Sequence, residues 1–370
     1  MLTRTNIEVL PLVYDPAYEV LEHDETETQQ ELNNALLSIS KKTFEDSGHA
    51  TRSVHAKSHG LLIGEIEVLD HLPPHLAQGL FARAVKLPVV IRISTSSGDV
   101  LDDKVSVPRG FALKVVGVEG TRLMASEDAN TQDFVLVNGP AFSTPNAKKF
   151  LSRLKLLATT TDKAPGLKKA LSTILQGTEK LIEAVGGESG TIKSMGGHPE
   201  TNVLGETYFS QAPILYGDNM AKISVVPICD VLKQLKNAPV DLSDKPNGLR
   251  EAVVDFFGLN TAVWELRVQL CTDLESMPIE DSSIVWPEEL SPYIAVARIT
   301  VKPQVAWSEV RSNAVDDGMS FSPWHGIAAH KPIGSIMRVR KMAYELSARF
   351  RAERSGLPMV EPKHLKDFPT

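Results

Sequence analysis

Two groups of short, period-two apolar runs, separated by a stretch of helical spacing, constrain this 370-residue chain more than any other feature. In the first group, residues 62–68 alternate at their end, residues 89–94 put Arg92 and Ser94 on one face, and 111–118 and 133–137 continue the pattern. The second group comprises 203–210, 222–228, 263–270 and 294–301, chosen by the same alternation and by β-branched content. A half-buried strand alternates because successive side chains point to opposite faces. Eight such runs, antiparallel if joined as hairpins, predict an α+β chain built on a closed eight-stranded antiparallel β-barrel with helical additions.

The additions can also be placed. Residues 24–47 are rich in Glu, Gln, Asn and Lys with Leu32, Ala35, Leu36 and Ile39 at helical spacing, which predicts one amphipathic helix. Between the strand groups, Phe150, Leu151, Leu154, Leu157, Leu167, Leu171, Ile174 and Leu175 recur at threes and fours, a helical insertion. Residues 333–353 read as a last helix, closed by Gly356 with Pro358 beyond. The expected organisation is a single domain over 1–370: an N-terminal helical arm (1–49), a first barrel half (50–142), the insertion (143–200), a second barrel half (201–302) and a loop with the last helix (303–370). Neither an internal repeat nor a low-complexity linker interrupts it.

Charge and composition narrow the function. A formal charge of −7 argues against a general nucleic-acid binder, which needs a concentrated basic surface, so any basic cluster serves something smaller. No apolar run reaches the roughly 18 residues of a membrane helix. The start, Met1-Leu2-Thr3-Arg4, runs into acidic and polar residues, so no secretory leader is expected. Cys229 and Cys271 are too few for a disulfide scaffold and read as buried thiols in a reducing compartment; a cytoplasmic location is the expectation.

The last helix carries the most informative spacing. At about 100° per residue, Arg340, Tyr344 and Arg351 fall near one stripe, so two guanidiniums flank one phenol. One reading is a solvated arginine face with the tyrosine packed at its edge. The other is a phenolate oxygen stabilised by the neighbouring arginine, a ligand that suits ferric iron. His55, in Arg52-Ser53-Val54-His55-Ala56-Lys57, stands just before the first strand, where a histidine is ordinarily structural. It gains meaning from Arg92 and Ser94, from Pro108-Arg109-Gly110-Phe111-Ala112, and from Asn138 at the end of the fourth run. His55/His59 and His71/His75 are each four apart, but Gly60 and Pro73-Pro74 oppose a helix presenting either pair to zinc. Gly186-Gly187-Glu188-Ser189-Gly190 lacks the Lys-Ser/Thr of a phosphate loop, and His325 and His330 read as structural.

Taken in order, V-H-A-K, R-x-S-T, P-R-G-F-A, D-x-V-x-x-N-x-P and R-x-x-x-Y resemble the haem catalase superfamily. The likeness is strong over 50–142, weak from Val285-Trp286-Pro287 to Val301, and returns at 340–351. It implies a barrel binding haem b, with His55 similar to the distal acid/base, Asn138 to the distal amide and Ser94 to the serine bonded to the imidazole. Val54 resembles the apolar residue that narrows access, Tyr344 the axial iron ligand, and Arg340 the arginine that stabilises its phenolate. Arg52, Arg92 and Arg351 match the arginines that hold the propionates. Leu346 and Ala348 replace the family's Asp and His beyond the tyrosine, which alters the proximal surroundings.

The resemblance implies a haem-dependent, peroxide-using oxidoreductase of the peroxidase or catalase type. Its partners would be hydrogen peroxide or an organic hydroperoxide and a small organic electron donor, without nucleic acid or a membrane span, and a homo-oligomer is allowed. Peroxidase chemistry is favoured because the chain lacks the long arms of large catalases, leaving haem reachable by larger molecules. Two alternatives stand beside it: a fatty-acid hydroperoxide isomerase or lyase, whose relatives tend to carry Thr at the place of Val54, and a haem-binding protein without catalysis.

Overall fold

The computed structural model describes residues 10–105, 107–126, 129–160, 199–365 and 368–369. Among them, nine strands form one antiparallel sheet: β1 (Ser58–Val68), β2 (Lys86–Thr95), β3 (Arg109–Val116), β4 (Thr131–Val137), β5 (Tyr208–Phe209), β6 (Ile214–Tyr216), β7 (Asn219–Pro227), β8 (Ala262–Leu270) and β9 (Ile294–Val301). Eight close into a ring, β1-β2-β3-β4-β5-β7-β8-β9 and back to β1, while β6 lies outside it as a partner of β7. Closure runs through β5: Phe209 pairs with Val137 on one side and Ser224 on the other. A closed ring removes the unpaired edges that an open sheet of this length would expose.

Period-two alternation divides two environments. Leu62, Ile91, Leu113, Leu136, Ile223, Leu266 and Ile299 point inward and fill the barrel. The outer face of the first four strands carries rungs of paired residues instead: Ser94 with Gly110, Leu61 with Arg92 and Ala112 with Val135, and Lys114 with Asp133. That outer face is covered by other elements, not by water.

Among the described residues, the four longer helices pack around the ring: α1 (Glu25–Ser47), α2 (Ala147–Thr160), α3 (Gly248–Leu259) and α4 (Ser335–Ser355). Leu32 and Leu36 of α1 form a small core with Val339 and Ala343 of α4 and with Ala147, Leu151 and Leu154 of α2. α4 ends where expected, on Gly356 at φ +68°, a left-handed cap that costs glycine little. Its first turn is pinned by charge, since Arg338 donates to Glu19, Glu25 and Glu280. No helix among the described residues is long and apolar enough to cross a membrane.

Two differences from the sequence expectation have local causes. The run 203–210 is a strand only at Tyr208–Phe209. Val203–Gly205 is a 3-10 turn opened by Asn202, whose Oδ1 accepts from Leu204 N, and Gly205 lies against the Leu235 backbone. Helix α3 was not anticipated, although Leu249, Val253 and Phe257 bury one stripe at four-residue spacing. In the insertion, Leu167, Leu171, Ile174, Leu175 and the 186–190 glycines lie outside the described residues.

Candidate functional site

A cavity of about 670 Å3, counted with its open mouth, lies between the outer wall of the barrel and the helices. The barrel supplies Arg92, Ser94, Gly110, Ala112 and Val135; the segment before β1 supplies Arg52, Ser53, Val54 and His55. From the other side come Leu36 of α1, Ser320 and Phe321, and Ala343, Tyr344, Ser347 and Arg351 of α4. The α4 residues are one stripe because three- and four-residue steps return to the same helix face.

The His55 side of the cavity is built tightly. His55 Nδ1 is 3.0 Å from Ser94 Oγ, which leaves Nε2 as the second ring nitrogen. The backbone of His55 is left-handed at φ +57°, a conformation that is costly for any residue with a Cβ. It is held by Arg92 Nη2, which donates to the carbonyls of His55 (2.8 Å) and Ala56 (3.2 Å). Gly110 makes room for the ring, because a Cβ there would stand 2.6 Å from His55 Cε1 and Nδ1 and 2.9 Å from Ser94 Oγ. The ring is open to the cavity yet set deep in the protein. Burial, and then Arg92, Arg340 and Arg52, push its pKa down to about 3, so the imidazole is neutral at physiological pH, with one ring-nitrogen lone pair unprotonated.

Tyr344 faces the same cavity from α4. Arg340 Nη2 donates to its hydroxyl at 2.7 Å, with the guanidinium carbon 5.2 Å from the ring centroid. Almost two turns further along the helix, Arg351 is only 3% exposed, which excludes a solvated arginine face there. Its Nη2 donates to Met319 O, while its Nε is buried without a hydrogen-bond partner among the described residues.

Arg351 belongs to a cluster. Arg52 donates to Asp316 and to the carbonyls of Val315 and Met319, and Arg92 Nε donates to Asp316 Oδ1 at 2.6 Å. Burial by itself would raise the Asp316 carboxyl, but Arg92 and Arg52, helped by Ser58, hold it down at about 2. Three guanidiniums thus cluster beside one carboxylate that Arg52 and Arg92 bond directly, and that end of the cavity is left positive. Burial lowers both Arg52 and Arg351, the latter to about 10, with the neighbouring Arg92 adding to each.

Of the residues singled out from the sequence, His55, Ser94, Val54, Arg52, Arg92, Tyr344 and Arg351 line one cavity, and Arg340 is bonded to Tyr344. Val54 is 36% exposed. Asn138 is not among the lining residues. Its Oδ1 accepts from Arg109 N at 2.8 Å and its Nδ2 donates to Glu206 at 3.2 Å, fastening the end of β4 to the start of β3. Sequence reasoning missed Asp316, Phe321, Leu36 and the spatial need for Gly110. Gly110 had a signal inside P-R-G-F-A and Leu36 one in its apolar helical stripe; Asp316 has none, because its role depends on arginines more than 200 residues away.

Comparison with solved structures decides the architecture. A fungal catalase aligns with a TM-score of 0.61 at 19% identity, over 86% of this chain and 63% of that one. A bacterial catalase gives 0.61 at 14% identity over 96% and 66%, and catalase A from Saccharomyces cerevisiae 0.60 at 18% identity over 94% and 68%. The fold is that of the catalases. This chain spans about two thirds of the length of each. No family model and no curated relative matches it. The sequence resemblance to the catalase superfamily and the structural likeness therefore meet at the level of the barrel with its helices.

Proposed function

We propose that the cavity binds haem b, that Tyr344 would supply an oxygen to hold its iron, and that the protein is a peroxide-using oxidoreductase. One observation carries the reading: a neutral imidazole and an arginine-bonded phenol face a single cavity whose end is positively charged. The donor set fits the group. Apolar walls from Leu36, Val54, Ala112, Val135, Phe321 and Ala343 suit a porphyrin face, and the buried Arg351 Nε suits a propionate. When bound, the haem iron would supply the redox chemistry of O–O cleavage.

The chain's own residues would do the rest. His55 Nε2 accepts a proton from the peroxide oxygen that binds and returns it to the one that leaves, general acid/base work by one group. Ser94 holds the ring in place through Nδ1, and Arg340 holds the Tyr344 oxygen by a hydrogen bond. Arg52, Arg92 and Arg351 would hold the propionates. In this reading Asn138 keeps its structural bonds, so the proton work falls on His55. The substrate is hydrogen peroxide or an organic hydroperoxide, with a small organic donor returning the electrons.

The test is reconstitution with hemin. The wild-type protein is expected to show a high-spin ferric spectrum that Tyr344→Phe abolishes, and peroxide turnover that His55→Ala lowers at least about 100-fold, the scale of general acid/base catalysis. A hemin spectrum identical in wild type and Tyr344→Phe rejects the ligand assignment. Conversion of a lipid hydroperoxide without consumption of a donor would assign an isomerase in place of a peroxidase.

A further inference from the structure

Asp316 lines no part of the cavity, yet two of the cavity's three arginines are anchored on it. Its Oδ1 accepts from Arg92 Nε (2.6 Å) and Arg52 Nη1 (3.3 Å), and its carbonyl accepts from Arg52 Nη1 at 2.8 Å. Its Oδ2 is filled from behind by Ser58 Oγ (2.7 Å) and Ser312 Oγ (2.8 Å). The residue sits in a single π-turn, Asn313–Asp317, in which Gly318 N bonds back to Asn313 O. Such turns are uncommon and frequently mark functional sites. The carboxylate is therefore aimed by an irregular backbone and locked by two hydroxyls.

The consequence is geometric and electrostatic at once. A guanidinium has five N–H donors in a planar fork, so fixing one edge on Asp316 determines which donors remain for a ligand. Arg92 commits Nε to Asp316 and Nη2 to the His55 and Ala56 carbonyls, which leaves Nη1 without an acceptor among the described residues. Asp316 also removes one positive charge from a cluster of three. Asp317, next in the chain, pairs with His49 at 3.0 Å and acts on Arg52 and Arg351 only through space, bonding neither.

We infer that Asp316 is the positioning residue of the cavity's anion-binding end: it orients the Arg52 and Arg92 forks and sets the positive charge left for a ligand's carboxylates. The inference rests on the haem reading only for the identity of the ligand. It predicts opposite effects from two substitutions. Asp316→Asn keeps the Oδ1 acceptor and deletes the charge, whereas Asp316→Ala deletes both.

The experiment measures the affinity of the apoprotein for protoporphyrin IX and for its dimethyl ester. Neither contains iron, so Tyr344 ligation plays no part, and the ratio of the two reports the carboxylate end alone. The acid-over-ester preference is expected to rise about tenfold in Asp316→Asn, because the added net positive charge favours a dianion, and to fall about tenfold in Asp316→Ala, because unheld forks lose paired hydrogen bonds. Ester affinity stays within about twofold of wild type in both, since the apolar walls are untouched. Acid and ester affinities moving together, or a ratio fixed at the wild-type value, overturn the inference; so does a wild-type protein that binds neither porphyrin. Thermal melts establish that each variant is folded. If Asp316→Ala does not fold, Asp316→Asn decides: a higher ratio supports the inference, and an unchanged or lower one overturns it. Hemin spectra of wild type and Tyr344→Phe report separately on the haem reading.

Discussion

His55 and Asp316, both half-buried, have pKa values pushed below their ordinary range, and that gives the protein a defined acid response. The unfolded chain protonates His55 near 6.5, whereas the folded protein resists until about 3; His330, pushed down to about 4 chiefly by its burial, behaves the same way. Protons thus favour the unfolded state as pH falls through that interval. Asp316 has a folded pKa of about 2 against 3.8, so its contribution is complete above 3.8 and is lost as pH drops through 2. The shift corresponds to roughly 2 kcal/mol. Stability is expected to be level from about pH 6.5 to 8, where Lys222 begins to titrate, to decline from pH 6.5 to pH 4, and to fall further below. Urea midpoints at pH 7, 5 and 4 check this, with His55→Gln giving a shallower decline; equal midpoints at all three values would contradict the assignment. At this scale the sequence singled out His55, Ser94, Arg52, Arg92 and Tyr344 by motif order. Asp316 could not be read, because V-D-D-G is an ordinary turn sequence until two distant guanidiniums arrive.

Helices α1 and α4 meet over the cavity, and Leu36 serves both their packing and the cavity wall. It is buried against Val339 and Ala343, and Ala343 lines the cavity next to Tyr344. Leu36→Ala is expected to cost about 3 kcal/mol, through lost burial and the space left behind. Denaturant unfolding measures the loss. Element by element, the long amphipathic stretches announced themselves: 24–47 and 333–353 became α1 and α4 almost to the residue. The run 203–210 did not, because Asn202 offers the backbone a side-chain partner that competes with a ladder. α3 carried a readable stripe, but a short one.

Across the whole molecule, the outer barrel face beyond the arginines is closed by the chain's last described segment. Lys114 and Asp133 are fully buried and paired at 2.8 Å, and Glu361 closes on the same ammonium. The Lys114 ammonium also lies 5.4 Å from the Phe321 ring, which lines the cavity. Phe368 packs beside it with Leu61, Val90 and Met319. Lys114→Met leaves two carboxylates without their cation and is expected to cost about 3–5 kcal/mol, the usual penalty for breaking a buried pair from one side. Adding Asp133→Leu should restore a large part of the loss. Thermal melts of the single and double variants measure it, and a single variant as stable as wild type would show that the cluster contributes nothing.

The sequence by itself determined the barrel, since alternation with period two and helical spacing are local and each residue's hydrophobicity announces its face. It also singled out the side chains suited to chemistry, since the motifs keep their order along the chain. Only the tertiary structure decided which of those side chains share a cavity. Asn138 stands at the expected strand end and commits its amide to Arg109 and Glu206, while Asp316, with no motif of its own, fixes two arginines. The physical reason is that hydrogen-bond and charge partners are chosen by proximity after the ring has closed, and proximity across hundreds of residues leaves no local pattern to read.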